Sequence, residues 1–307
     1  MTRIRAMSYN VRYANQTDHH DSWDDRRDGI AALVRFHRPD VVGFQEPLPE
    51  QRADLRDRLP EYELVGYGRR ADDEGEGCPI AVRTDRWRIV DHDTFWLSET
   101  PETPAVGWDA THPRVATWAL ITPTEPAPQA VAAATRPLLV CNTHFDHQGE
   151  LAREQSARLL RDQIPEIRAS AAASIDSTDT DAAAGTETET NSDSLDPHVV
   201  LLGDFNCTAA STPIRLLTGS DSAQDCNEAV ADVDDVFHLT DAAATADLWH
   251  GPTTSITDFS ELIAGRRIDH VFVSDDIAVE AFATLADRDD RGRYPSDHLP
   301  VVATLRL

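Results

Sequence analysis

The stretch 198–206, HVVLLGDFN, is the feature that most constrains how this chain can fold. It begins with a short, largely apolar run that is rich in β-branched residues and bounded by a proline and a glycine, which is typical of a buried strand. Asp204 and Asn206 follow, and side chains two apart on an extended backbone point the same way, so both are expected to face one cleft while Phe205 enters the core. A carboxylate at the end of a buried strand is costly to desolvate unless a charged group meets it. An Asx turn explains the same residues, so this motif alone leaves a catalytic and a structural interpretation open.

Other predicted strands also end on polar side chains. Three of them end at or just before Asn10, Glu46 and His144. Because α/β folds place their sites at the ends of strands, these side chains are expected to share one site.

Helices and strands alternate in the first half of the chain, whereas strands follow one another in the second half. Helices are predicted over 26–36, 49–59, 149–167 and 213–217. Strands are predicted over 4–10, 41–44, 62–67, 80–83, 93–97, 115–122, 138–142, 198–202, 268–273, 279–286 and 299–305. No period of about 20–50 residues recurs, which excludes a solenoid. The order favours one α/β domain over residues 1–307, with two packed sheets covered by helices.

Three segments have the composition of loops. Residues 171–196 are almost wholly Ala, Ser, Thr, Asp, Glu and Gly, which cannot bury enough apolar surface to become ordered. We predict that this segment is a disordered surface insertion within the single domain. Residues 124–136 are expected to form a long hairpin loop, and residues 220–236 an acidic loop.

The chain is strongly acidic, with 54 acids against 28 bases and a net charge of −26, and every base is arginine. The acids are scattered along predicted helix faces and loops, which suggests a solvated coat adapted to concentrated salt. At about 1 M salt the Debye length falls to about 3 Å, so a phosphate could approach such a surface with little long-range repulsion. We therefore predict that the protein works in a salt-rich (halophilic) cytoplasm, where its net charge does not exclude a phosphate substrate.

The four cysteines form no CxxC pair, which predicts reduced core residues rather than zinc ligands or disulfides. The first residues enter a strand without an apolar signal region, and no segment has membrane-spanning length. These features predict a cytoplasmic monomer with no membrane association and no protein partner.

Three of the strand-end residues suit metal-assisted water chemistry. A hard divalent cation such as Mg²⁺ or Mn²⁺ takes oxygen ligands, which Glu46 and Asn10 can supply. An unprotonated carboxylate such as Asp204 can orient a water molecule and accept its proton.

Other polar residues suit the binding of a phosphate. Negative charge that develops on phosphorus needs preplaced donors, and Asn206, His144 and His298 are candidates. Asp297 beside His298 could fix the tautomer of that ring and raise its pKa. The combined parts predict hydrolysis of a phosphate ester.

Six short segments carry these residues and follow one another along the chain: 8–10 (SYN), 44–46 (FQE), 142–147 (NTHFDH), 203–206 (GDFN), 268–274 (IDHVFVS) and 294–301 (YPSDHLPV). Together they resemble the endonuclease/exonuclease/phosphatase superfamily, which has the deoxyribonuclease-I-like fold. Residues 95–104, 107–114 and 293–298 are most similar to a small prokaryotic branch of metal-dependent hydrolases. The resemblance implies a four-layer α-β-β-α architecture, in which a two-layered β-sandwich core is flanked by helices.

The resemblance also implies roles for individual residues. Glu46 corresponds to the metal ligand of the family and Asn10 to its amide partner. Asp204 corresponds to the acid that activates water, and Asn206 to a neighbouring phosphate contact.

The remaining roles concern the phosphate side of the site. His298 and His144 correspond to phosphate-binding histidines, and Asp297 to the partner of His298 and a candidate metal contact. Asp269 corresponds to an acid that helps to hold the site or assists the leaving group.

Four further residues are candidates for substrate binding. Arg69 and Glu76 lie in a glycine-bearing loop that could gate substrate, but a plain exposed loop explains them equally well. Arg114 could bind phosphate bidentately or pair with one of the many acids. His147 is a candidate substrate contact, whereas Asp146 is better explained as a helix cap.

The leading prediction is a Mg²⁺- or Mn²⁺-dependent phosphodiesterase or nuclease that uses direct attack of water. The enzyme alternative is a phosphatase or phosphodiesterase acting on a small molecule, such as a sugar, lipid or inositol phosphate. A non-catalytic phosphate-binding module is the alternative from another class. No basic stripe interleaved with aromatic residues is visible, which leaves a polymeric nucleic-acid substrate open.

Overall fold

The computed structural model describes residues 2–124, 136–179, 196–220 and 237–307. Within these ranges the strands are β1 Arg3–Asn10, β2 Val41–Gln45, β3 Tyr62–Val65, β4 Ile80–Arg83, β5 Trp87–Trp96, β6 Val115–Pro123, β7 Leu138–His144, β8 His198–Asp204, β9 Thr240–Asp241, β10 Leu248–His250, β11 Asp269–Val273, β12 Ala278–Thr284 and β13 Val301–Arg306. The helices are α1 Trp23–His37, α2 Pro49–Arg58, α3 Glu150–Asp179, α4 Thr212–Thr218 and α5 Ala242–Thr245, and a 3-10 helix spans Gln16–Asp21.

The strands form two mixed sheets. The first has the order β10-β12-β13-β1-β2-β4-β3, and the second has the order β5-β6-β7-β8-β11-β9. The central pairs β1–β2 and β7–β8 are parallel, and β13 and β11 pair antiparallel with β1 and β8. Each sheet therefore contains a parallel pair of strands in its interior.

Successive side chains of each strand point alternately into the layer between the two sheets and into the layer between a sheet and its helices. On β1, Ile4 and Ala6 enter the apolar layer between the sheets, whereas Met7 and Tyr9 enter the layer under α1 and α2. β8 divides in the same way between the inter-sheet layer and the layer under α3 and α4. The predicted four-layer α-β-β-α fold with a two-layered sandwich core is thus confirmed.

Most predicted elements are present, and the differences have local causes. β5 begins at Trp87, earlier than predicted, because its middle is exposed and polar and lacks an apolar period. α3 continues through Asp179, into the segment that was predicted to be disordered. Residues 125–135, 180–195 and 221–236, which contain most of the three predicted loops, lie outside the described residues.

Two observations bear on the composition-based predictions. Cys78, Cys141 and Cys207 are buried free thiols, as predicted for core residues, and Cys226 lies outside the described residues. Among the described helices, we find none with the length and apolar character that crossing a bilayer requires.

Candidate active site

The candidate active site lies where the layer between the two sheets changes from apolar to polar. On β8, Leu202 belongs to the apolar layer, and Asp204 lies two residues further along the same face. β7 is parallel to β8 and pairs His144 with Asp204, while the antiparallel β11 pairs Asp269 with it. Three neighbouring strands therefore bring these side chains to one point.

Asp204 is at the centre of the cluster, and only 1% of its surface is exposed. Its Oδ2 accepts a hydrogen bond from Nδ2 of Asn10 at 3.0 Å, and it lies 3.4 Å from Nε2 of His144 and 3.7 Å from Nε2 of His298. Its Oδ1 accepts a hydrogen bond from the backbone N–H of Asn206 at 2.9 Å. The structure thus places one predicted acid among four other predicted site residues.

The partner of His298 differs from the prediction. Nδ1 of His298 lies 2.9 Å from Oδ2 of Asp269, so Asp269, and not Asp297, can hold the tautomer of the ring. Asp297 instead forms an ion pair with Arg12, whose NH1 lies 3.2 Å from its Oδ2. Asp297 was expected to be the partner of His298 because the two residues are adjacent in sequence. Their side chains instead contact different groups.

Glu46 and Asn10 occupy the neighbouring strand ends. Glu46 has a left-handed backbone with a φ of 73°, and its two carboxylate oxygens accept hydrogen bonds of 2.9 Å from Nδ2 of Asn10 and the N–H of Tyr13. Non-glycine residues with such a φ are uncommon and often occur at functional sites. Asn10 presents its amide nitrogen to both Glu46 and Asp204, while its oxygen accepts the N–H of Arg12 at 2.9 Å.

Asn206 combines the two interpretations of the GDFN motif. It has a φ of 50°, and its side-chain nitrogen lies 3.0 Å from both Nε2 of His144 and the carbonyl oxygen of Phe145. Its backbone closes an Asx turn on the preceding acid. Phe205 is fully buried and packs edge-to-face against Phe145 and Phe272, as predicted for a core residue.

Burial and mutual charge shift the ionisation of this cluster. Burial, together with the charge of Asp269, raises the pKa of Asp204 to about 7, although His298 opposes the shift. Burial, with the charges of Arg114 and His298, lowers the pKa of His144 well below its ordinary value. Burial would also lower the pKa of His298, but the charges of Asp269 and Asp204 raise it well above the ordinary value. The protein therefore favours the neutral form of His144 and the cationic form of His298.

A buried polar layer lies between the apolar core and the site, and it was not predicted from the sequence. Nε2 of Gln45 donates to Oδ1 of Asn142 at 2.6 Å and lies 3.1 Å from Oγ of Ser8. Gly43 makes room for it, because a Cβ there would lie 2.5 Å from Oδ1 of Asn142. Ser8 and Asn142 each precede a predicted site residue by two positions, so the two-residue strand period was the available signal.

The four predicted substrate residues lie together on one side of His144. A pocket next to this histidine is lined by Arg69, Glu76, Gly77, Cys78, Pro113, Arg114, Val115 and His144. NH1 of Arg69 donates to Oε2 of Glu76 at 2.9 Å, and NH2 of Arg114 lies 3.2 Å from Nδ1 of His147. Burial, with the charge of Glu46, raises the pKa of Glu76.

Asp146 was predicted to cap α3, but its carboxylate instead closes the turn just before that helix, and it also contacts Arg114. Its Oδ1 accepts the backbone N–H groups of Gln148 and Gly149 at 3.0 and 2.9 Å. Its Oδ2 accepts the hydroxyl of Thr111 at 2.7 Å and lies 3.4 Å from Nε of Arg114. One buried carboxylate therefore orders the turn that precedes α3 and orients an arginine of the pocket, whereas the N–H of Ala152 in the first turn of α3 donates to Oδ1 of Asp109 at 2.6 Å.

The comparisons with known proteins agree on the family. Residues 7–298 match the family model described as Endonuclease/Exonuclease/phosphatase family. The chain belongs to the endonuclease/exonuclease/phosphatase family. A member of this family from Bacteroides vulgatus is 31% identical, with a TM-score of 0.79 and coverage of 100% of both chains. The mannosyl-6-phosphatase of Bacteroides thetaiotaomicron is 29% identical, with a TM-score of 0.78 and coverage of 99% of this chain and 100% of that one.

A viral relative matches a smaller part of the chain. An uncharacterized protein of Acanthamoeba polyphaga mimivirus is 26% identical over 112 residues, which are 34% of this chain and 42% of the viral protein. The chain therefore spans less than half the length of that relative.

Enzymes of the endonuclease/exonuclease/phosphatase family hydrolyse phosphoester bonds and generally depend on a divalent metal ion. The residues present fit such an ion. Ligand atoms of Glu46, His144 and Asp204 lie within 4.8 Å of one another, and so do those of Asp204, Asp269 and His298. Oδ1 of Asp269 is buried and has no hydrogen-bond partner among the described residues. The carboxylates of Glu46 and Asp204 supply oxygen atoms of the kind that hard divalent cations prefer.

Proposed function

We propose that this protein is a Mg²⁺- or Mn²⁺-dependent phosphoesterase in which an activated water attacks phosphorus directly, without a covalent intermediate. The observation that carries the proposal is the position of Asp204. Its buried carboxylate contacts Asn10, His144, Asn206 and His298, so a proton acceptor for water lies among groups that can hydrogen-bond a phosphate.

The role that we assign to each side chain follows from the groups that it contacts. Asp204 orients the attacking water and accepts its proton. His298, which Asp269 holds through Nδ1, directs Nε2 towards the reacting phosphate and offsets its charge. Asn206 and His144, which lie 3.0 Å apart, border the phosphate from the other side. Glu46 and Asp204 would hold a divalent cation, which would supply Lewis-acid stabilisation of the phosphate when bound.

A small-molecule phosphate ester is the substrate class that we favour. The small pocket beside His144 is lined by two buried arginines and Glu76, so it presents polar groups to the part of a ligand that lies next to the phosphate. The similar structure named as a mannosyl-6-phosphatase supports the same class. Phosphodiester cleavage, which was the leading prediction from the sequence, is the second candidate and the same experiment tests it.

The test compares p-nitrophenyl phosphate and bis(p-nitrophenyl) phosphate as a monoester and a diester. Each is incubated in molar KCl with Mg²⁺, Mn²⁺ or EDTA, for the wild type, Asp204→Ala and the control Glu63→Ala, which removes an exposed strand acid. We expect metal-dependent turnover that EDTA abolishes, and a loss on the order of 10³-fold or more in Asp204→Ala alone.

Either of two outcomes would overturn this proposal. One is turnover that survives in Asp204→Ala, and the other is no turnover of either ester by the folded wild type with metal present. Turnover of the diester in preference to the monoester would instead select the second candidate.

A further inference from the structure

The pocket beside His144 contains two arginines that are almost fully buried. Arg69 is 9% exposed and Arg114 is 6% exposed, so both guanidinium groups have lost most of their hydration. Such groups are retained at a cost unless they meet partners that replace water. Their partners therefore indicate what the pocket is built to hold.

The protein fixes both arginines from several sides. The N–H of Arg69 donates to the carbonyl oxygen of Glu76 at 2.9 Å, and the carbonyl oxygen of Arg69 accepts Nε1 of Trp96 at 2.9 Å. Arg114 is oriented through Nε by Asp146 and through NH2 by His147. The pocket wall is therefore ordered before any ligand enters.

Among the side chains of this wall, one acceptor and several donors have no hydrogen-bond partner in the described residues, because only NH1 of Arg69 and Nε and NH2 of Arg114 find partners. NH1 of Arg114 meets the carboxylate of Glu76 only at 4.0 Å, beyond hydrogen-bond range, and finds no acceptor in the part of the chain that the structure describes. Oε1 of Glu76 likewise receives no hydrogen bond from the described residues, because Arg69 donates to Oε2. A hydroxyl group can accept from the first and donate to the second, whereas a phosphate oxygen only accepts.

The charge of the wall also disfavours a second phosphate. The formal charges of Arg69 and Arg114 are balanced by those of Glu76 and Asp146, the two carboxylates in contact with them. A site without surplus positive charge has little electrostatic preference for an anion, and Glu76 would repel one at short range. The wall thus suits a neutral polar group.

We propose that Arg69, Glu76 and Arg114 form a hydroxyl-binding subsite that selects phosphate monoesters of small polyhydroxylated compounds. The phosphate lies at the Asp204 and His298 end, and a hydroxyl of the alcohol portion donates to Glu76 and accepts from Arg114. This inference rests on the proposed phosphoesterase function.

The experiment measures kcat/KM for a hexose 6-phosphate, for its set of monodeoxy analogues and for phenyl phosphate, which has no hydroxyl. The enzymes are the wild type, Glu76→Gln and Glu74→Gln, a matched control in which an exposed glutamate of the same loop is changed. We expect Glu76→Gln to lose about 10- to 100-fold on the hexose phosphate, as for one hydrogen bond to a charged group, and less than about threefold on phenyl phosphate.

With the wild type, one deoxy analogue should show the same loss in kcat/KM. With Glu76→Gln, that analogue should show no further loss, and as in a double-mutant cycle this identifies the hydroxyl that Glu76 binds. Glu74→Gln should match the wild type on every substrate. Turnover of phenyl phosphate shows in each case that the variant is folded and its reaction centre is intact.

Equal losses on the hexose phosphate and phenyl phosphate would overturn the subsite, and so would a higher kcat/KM of the wild type for a hexose bisphosphate or an oligonucleotide. No wild-type turnover of any ester with metal would instead overturn the proposed function itself. The two failures are therefore distinguishable.

Discussion

Two acid–histidine pairs flank strand β11 on opposite faces, and they behave differently. On the face between the sheets, Asp269 contacts His298, and on the outer face Asp241 lies 3.4 Å from Nδ1 of His270. The outer pair is completed by Arg267, whose NH2 donates to Asp241 at 2.7 Å. In the described parts of the chain no arginine forms an ion pair with Asp269, and the inner pair instead faces a second buried carboxylate, Asp204.

The difference is visible in the pKa of Asp241 and in that of Asp204, the carboxylate that faces the inner pair. Burial by itself would raise the pKa of Asp241, but His270 and Arg267 lower it to about 2. On the inner face, burial and a neighbouring carboxylate raise the pKa of Asp204 to about 7. A fully paired acid stabilises the fold, whereas acids that share too few cations are arranged for a ligand. Neighbouring residues of one strand thus serve stability on one face and chemistry on the other.

The largest expected effect comes from Asp269→Asn. Loss of the carboxylate removes the group that holds the tautomer and the positive charge of His298, so kcat should fall on the order of 10²–10⁴-fold on every phosphoester. Steady-state kinetics and urea unfolding check this, with the midpoint of unfolding expected near that of the wild type. Activity within about threefold of the wild type would show that the inner pair is structural like the outer one.

Gly43→Ala tests whether the polar layer under the inner face is tightly packed. The new Cβ would lie 2.5 Å from Oδ1 of Asn142, so we expect a loss of about 1–3 kcal/mol in the free energy of unfolding and lower activity. Gly29→Ala is the control. Gly29 lies in α1, and a Cβ there would lie 3.6 Å from Pro295, which is an ordinary contact distance. We expect that control to be stabilised by about 0.5–1 kcal/mol. Equal stability of the two variants would contradict the packing argument.

Asp241→Asn tests the outer pair. The pKa of Asp241 is lowered in the folded state, so its contribution is present above about pH 4, the ordinary value, and is lost as the pH falls towards about 2. The variant should be less stable at pH 7 by on the order of 2 kcal/mol, and this difference should shrink in acid while activity at pH 7 is kept. Urea unfolding between pH 7 and pH 3 provides the measurement, and a pH-independent difference would rule out the ion pair as the cause.

The smallest expected effect is that of salt on Tm. It shows whether paired or unpaired acids dominate the electrostatic contribution to stability. Screening weakens the arginine–carboxylate pairs but also weakens repulsion within a net charge of −26. If surplus acids dominate, as the predicted salt adaptation requires, raising KCl from about 0.05 to 0.5 M should raise Tm by about 2–4 °C. A fall in Tm measured by calorimetry would show that the paired acids dominate.

Local pattern alone determined much of this protein. The apolar runs and their two-residue period predicted the central strands, and the polar residues that follow them predicted Asp204, His144 and Asn10 as neighbours. This worked because strand ends in such folds converge, so a residue's place on its strand nearly determines its place in the site.

Only the tertiary structure decided which groups meet across the chain. Asp269 is the partner of His298 although 29 positions separate them, while the adjacent Asp297 pairs with Arg12. Likewise, Glu76 and Arg114 come from separate loops, and their approach to 4.0 Å depends on how those loops pack beside His144. In a loop, the direction of a side chain is set by packing and not by the two-residue period of a strand. The sequence could therefore identify these residues as candidates but could not predict which of them contact each other.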